Sequence, residues 1–150
     1  MNRGLEVLLL TIGGALGTNA RYWLAVWMSS RVNPRFPWAT FTINVSGSFA
    51  IGLLATLLNR WLPGQSGHPA RLFLLVGFLG GYTTFSTFSL ESHVLWENHQ
   101  IRAAVAYMAG SLLVGLLAVL LGVALGRAIV GPEKPPILIA ITDDVRGVDE

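Results

Sequence analysis

Thr40, Asn44 and Ser48 recur at i, i+4 and i+8, a spacing that puts three polar side chains on one helix face. Asn44 is the most demanding, because its amide offers two donors and an acceptor with two lone pairs. Tyr107 and Ser111, again four apart, can aim two hydroxyls at one spot. Phe85 and Phe88 share a face at i and i+3. A phenyl ring is negative on its face and positive at its edge. Ring edges beside amide and hydroxyl donors can therefore line a path for an anion without any fixed positive charge. A full cation would hold a small anion too tightly, whereas conduction needs sites that are easily left. Each group also has a packing reading, since polar and small residues tie membrane helices together.

Between these groups runs Gly77-Phe78-Leu79-Gly80-Gly81-Tyr82-Thr83-Thr84-Phe85-Ser86-Thr87-Phe88. Paired glycines followed by two threonines make poor helix, so a break is expected near 80–84. Irregular backbone at membrane depth is tolerated only where protein or a polar cavity satisfies it. Carbonyls freed at such a break suit a small cation. Thr84 or Ser86 could cap the second half-helix. The other reading is a kinked, packed helix.

The elements that must position these residues follow from the charges. Of 150 residues, 53% are hydrophobic and 12% charged, with a mean hydropathy of +0.59. A soluble domain carries about 25% charged residues. This balance disfavours a soluble enzyme and a nucleic-acid binder and favours a small all-α membrane protein. The absence of cysteine excludes disulfides and thiolate sites. Positions 36–59, 72–90 and 103–126 are free of charge, each close to the roughly 20 residues a spanning helix needs. A fourth span starts near Leu5, interrupted by Glu6 and Arg21. Arg3 and the run from Val7 to Leu16 resemble a signal peptide, but Glu6 and the apolar pattern after Arg21 favour a retained helix. Four transmembrane helices result, at about 5–29, 37–60, 71–96 and 102–128, with the third one broken. All five tryptophans fall near span ends, where an interfacial belt is expected. Gly13/Gly17 and Gly122/Gly126 read as close helix contacts. Residues 131–150, with three prolines and five acidic side chains, read as an exposed tail in which 137–142 could form a strand.

Positive residues near span ends set orientation. Here Arg3, Arg60, Arg71 and Arg127 fall on one side and Arg21, Arg31, Arg35 and Arg102 on the other. That balance predicts insertion both ways and an antiparallel homodimer. A small four-helix, dual-topology, proton-coupled exporter would share these traits. It needs an embedded carboxylate, and Glu6 and Glu91 fall at span edges. Ser86 and His93 lie too far apart along one helix to act as nucleophile and base, and His68, His93 and His99 read as interfacial rather than metal-binding. Asn44-Val45-Ser46 matches a glycosylation sequon, but its midspan position empties that match.

The stretch GGYTTFSTF at 80–88, followed by Glu91, resembles the signature of the Fluc (CrcB) fluoride channels. TFTINVSGSFAIG at 40–52 is similar to that family's helix 2 motif, and GGALGTNARY at 13–22 to its helix 1 motif. The resemblance covers about residues 5–128. It implies a fluoride-selective ion channel, not an enzyme, working as a multi-pass antiparallel homodimer in the bacterial inner membrane. Passive efflux would give resistance to fluoride toxicity. It also implies two pores and a structural sodium ion at the dimer centre, held by the backbone carbonyls of Gly80 and Thr83. Phe85 and Phe88 would line the pore and Asn44 would donate to fluoride. Tyr107, Ser111, Thr40, Thr84 and Thr87 would be further polar contacts. Arg21 would sit at a vestibule or snorkel to the lipid surface. Tyr82 departs from the family pattern, which is apolar there, and the tail lies outside it. Fluoride is small, strongly hydrated and costly to bury without replacement donors, which suits a lining of neutral donors.

Overall fold

The computed structural model describes residues 2–32 and 36–131. The tail, with its expected strand at 137–142, and Arg35 lie outside the described residues. Helix α1 spans Arg3–Ser29. It starts where the Asn2 side chain accepts from Gly4 N at 2.9 Å, and Glu6 in its first turn complements the helix dipole. Helix α2, Trp38–Trp61, follows Pro37 and ends at Leu62 before Pro63. A short 3-10 turn, Gly64–Gly67, leads into α3 at residues 68–82. Helix α4, Phe85–Glu97, and the long α5, Ile101–Val130, complete the chain.

The chain is an all-α membrane protein. Three helical stretches are long and apolar enough to cross a bilayer: Trp38–Trp61, His68–Glu97 with its break, and Ile101–Val130. Helix α1 has the length, about 40 Å at 1.5 Å per residue, but Glu6, Arg21 and its polar residues dilute its hydropathy. Its pairing partner is the first half of the broken helix. Gly13 faces Gly77, Gly14 faces Gly81 and Gly17 faces the backbone of Phe78: a Cβ on Gly13 would lie 2.5 Å from Phe73 O, and one on Gly17 would overlap Phe78 O. Helices α2 and α5 pack as closely through Gly52 and Gly122, whose missing side chains admit Val119 O and Phe49 O. Without a hydrophobic force between helices in lipid, such backbone approach is what holds them.

Two apolar clusters stiffen the bundle. Ala55, Leu58, Leu75 and Leu79 join α2 to α3, and Leu95, Ala104 and Tyr107 join α4 to α5. A regular third helix was expected before the break, but Leu72–Leu79 is π-helical, a wider winding that recurs near functional sites. Arg71 differs from its reading as an interfacial charge. It is 5% exposed and donates to Gly64 O at 3.0 Å and Leu62 O at 3.1 Å. Its guanidinium thus satisfies carbonyls at the negative end of α2.

Candidate functional site

The break falls at Thr83 and Thr84, both in extended conformation. Asn44 of α2 holds it open. Its Nδ2 donates to Thr84 O at 3.0 Å, and its Oδ1 accepts from Thr84 N at 2.9 Å. Thr84, rather than Ser86, caps α4: its Oγ1 accepts from Thr87 N at 3.2 Å and donates to Thr87 Oγ1 at 2.9 Å. These bonds have a consequence for the carbonyls. A continuous helix would aim the amides of Thr84 and Thr87 at Gly80 O and Thr83 O. Here both amides are turned to side chains, so Gly80 O and Thr83 O lose their helical donors. These are the two carbonyls expected to hold a cation, and both residues border the same cleft. Neutral carbonyl oxygens without donors suit a hard monovalent cation, so this backbone fits a sodium ion.

Packing fixes the break further. Gly47 has no side chain, and Thr83 Cγ2 fills that space with the Tyr82 ring beside it. Thr83 Oγ1 donates to Leu79 O at 2.9 Å, tying it to the turn before. The Tyr82 hydroxyl lies 2.9 Å from Ser46 Oγ, and its ring stacks on Phe78.

A cleft of about 540 Å³ opens between α2, the two halves of the broken helix and α5. Its walls bring together Asn44, Gly80, Thr83, Thr84, Phe85, Phe88 and Ser111. Phe85 is 79% exposed at its rim. Phe88 lies 5.7 Å from it, centre to centre, and 5.1 Å from the Tyr107 ring. Ser111 Oγ is buried without a hydrogen-bond partner. Thr87 is not among the lining residues and bonds to Thr84. Arg21 is half-buried on α1 and is not among the residues that line the cleft.

Thr40 and Tyr107 converge elsewhere, on Glu91. Thr40 Oγ1 donates to Glu91 Oε1 at 2.9 Å and Tyr107 Oη to Glu91 Oε2 at 2.7 Å. Tyr107 is fully buried. The sequence reading put Glu91 at a span edge. In the structure its carboxylate points inward and joins α2, α4 and α5, outside the residues that line the cleft. A signal existed: Phe88, Glu91 and Leu95 stand at i, i+3 and i+7, one face of a helix. The edge position outweighed it because charge spacing alone does not say which way a side chain points.

Ser86 and His93 each meet other partners. Ser86 Oγ lies 3.3 Å from Thr84 Oγ1, and His93 pairs with Glu97 at 3.4 Å. Among the described residues no group of three or more His, Asp or Glu could hold a metal ion.

Residues 8–123 match the model of the family described as CrcB-like protein, Camphor Resistance (CrcB). The Fluoride-specific ion channel FluC of Rhizobium meliloti is 47% identical over 125 residues, covering 83% of this chain and 98% of that protein. The protein of the same name from Thermus thermophilus is 46% identical over 124 residues, 83% of this chain and 95% of its own. That from Chloroflexus aurantiacus is 44% identical over 122 residues, 81% and 95% of the two chains.

Proposed function

The chain belongs to the CrcB-like family, and on that premise we propose that it is a fluoride-specific ion channel giving passive fluoride efflux. The observation that carries this reading is the cleft: amide, hydroxyl and ring-edge groups meet there, with Ser111 Oγ buried and unpartnered. Fluoride loses strong hydration on entering the membrane, and only replacement donors make that loss bearable. Asn44 has a second amide hydrogen beyond the one given to Thr84 O, and it and the free Ser111 hydroxyl are first in line. Phe85 and Phe88 present ring edges. Thr84 and Thr87 act as the cap that shapes the wall, and Thr40 and Tyr107 act with Glu91. Arg21 draws anions toward a vestibule or anchors α1 at the lipid surface.

The working unit in this reading is an antiparallel homodimer in the bacterial inner membrane. An apolar ring as exposed as Phe85, beside an open and mostly apolar cleft, supports a second copy covering that face. A sodium ion held by Gly80 and Thr83 would neutralise the carbonyl ends of the break and pin the halves together. Its role is structural, and the chain is a conduit rather than an enzyme.

The test is purified protein in liposomes loaded with fluoride or chloride. Fluoride should leave rapidly, followed with an ion-selective electrode at a protein density that resolves the rate, and chloride should stay. Absence of fluoride release would refute the reading. Release that requires an imposed proton gradient would instead favour a proton-coupled exporter.

A further inference from the structure

Hydroxyls inside these helices mostly bond to their own chain. Ser46 donates to Ile43 O, Ser89 to Phe85 O and Ser92 to Phe88 O. On the cleft walls, Thr83 and Thr84 are committed in the same way. Ser48 and Ser111 are the exceptions there: neither makes a hydrogen bond within the described residues, and both line the cleft. The sequence pattern set Ser48 on the face of Thr40 and Asn44, yet the pore reading leaves it without a role.

Its surroundings supply one. Tyr107 and Ser111 are followed at the same spacing by Gly115, which breaks the row of hydroxyls on α5. A Cβ on Gly115 would stand 3.6 Å from Ser48 Oγ. Helix α2 therefore delivers a hydroxyl into the place where α5 lacks one. Beyond Ser48 on α2 and Gly115 on α5, the residues of these helices that line the cleft are Ile51, Leu116 and Val119. Without Ser48 an anion moving past Ser111 would meet only hydrocarbon, where an unsolvated charge is most costly.

We propose that Ser48 is a further fluoride donor, defining an ion position one helical turn beyond Ser111 that Gly115 leaves room for. The proposal rests on the cleft being the fluoride path. The competing role is a helix-packing hydroxyl that bonds the second copy.

A hydroxyl transplant separates the two. Ser48→Ala, Gly115→Ser and the double variant are reconstituted in liposomes, with dimer content measured by size-exclusion chromatography. Ser48→Ala should slow fluoride release about tenfold, the rate factor for losing one donor from a barrier, with the dimer retained. The double variant should recover most of that rate, because the new hydroxyl enters the same gap from the opposite wall. Unchanged release in Ser48→Ala, or a loss that the double variant does not recover, would overturn the proposal. A weakened dimer with unaltered flux per dimer would overturn it in favour of packing. If the parent protein passes no fluoride, the channel reading fails first. If the parent conducts and Ser48→Ala conducts equally, only the role of Ser48 fails.

Discussion

Asn44→Leu removes both hydrogen bonds that hold the helix open while keeping similar volume. The lost contacts are to the Thr84 N–H and C=O, at 2.9 and 3.0 Å. Thr84 is buried, so water does not readily replace them. Each buried polar group left unpaired costs about 1–3 kcal/mol, which puts the loss at about 2–6 kcal/mol. The cheapest escape is closure of the helix, with Thr84 N returning to Gly80 O. That route satisfies the amide but takes away a carbonyl from the proposed cation site. The lower figure, about 2 kcal/mol or roughly 30-fold in the folded ratio, is therefore the expected outcome. Denaturant unfolding of detergent-purified protein, followed by circular dichroism, measures the stability, and fluoride release in sodium or N-methylglucamine buffers measures the cation response. Asn44→Leu should lose both stability and sodium dependence. A variant within about 0.5 kcal/mol of the parent, as for an ordinary surface change, that still responds to sodium would refute the reasoning.

Phe85→Ile and Phe88→Ile should each cut fluoride flux with the dimer intact, because an aliphatic side chain has no positive edge; unchanged flux in both would reject the aromatic lining. Exchanging sodium for a larger cation should weaken the dimer, seen as faster subunit exchange by fluorescence transfer; indifference would argue against a cation at Gly80 and Thr83. Gly17→Val should detach α1 from the broken helix, since Phe78 O occupies the space a side chain needs. A loss of about 3 kcal/mol or more, as for overpacking against backbone, should appear in the same unfolding assay.

The relation of Asn44 to Thr84 also explains why a break this deep in the membrane is stable. Hydrocarbon cannot satisfy an open turn of backbone. One side chain from the neighbouring helix satisfies both groups of the residue at the break, and the Thr84 hydroxyl satisfies the Thr87 amide. Glu91 does comparable work nearer the end of the bundle, where it collects the hydroxyls of α2 and α5 on one carboxylate.

Sequence alone determined the elements and the place of the break. Charge-free runs between arginines mark the spans because a charge in hydrocarbon is prohibitive, and Gly80-Gly81 before Thr83-Thr84 is poor helix in any setting. The polar faces of α2 and α5 were readable because helical periodicity is local. What the hydroxyls and the amide bond to was not. Whether Asn44 faces an anion path or Thr84, whether Glu91 lies at an edge or between Thr40 and Tyr107, and whether Arg71 meets lipid or the carbonyls of Leu62 and Gly64 depend on how helices rotate against one another. That rotation is set by the glycine contacts of α1 with α3 and of α2 with α5. The pairing of one small-residue stripe with another is decided only when the whole bundle closes, because each partner lies tens of residues away along the chain.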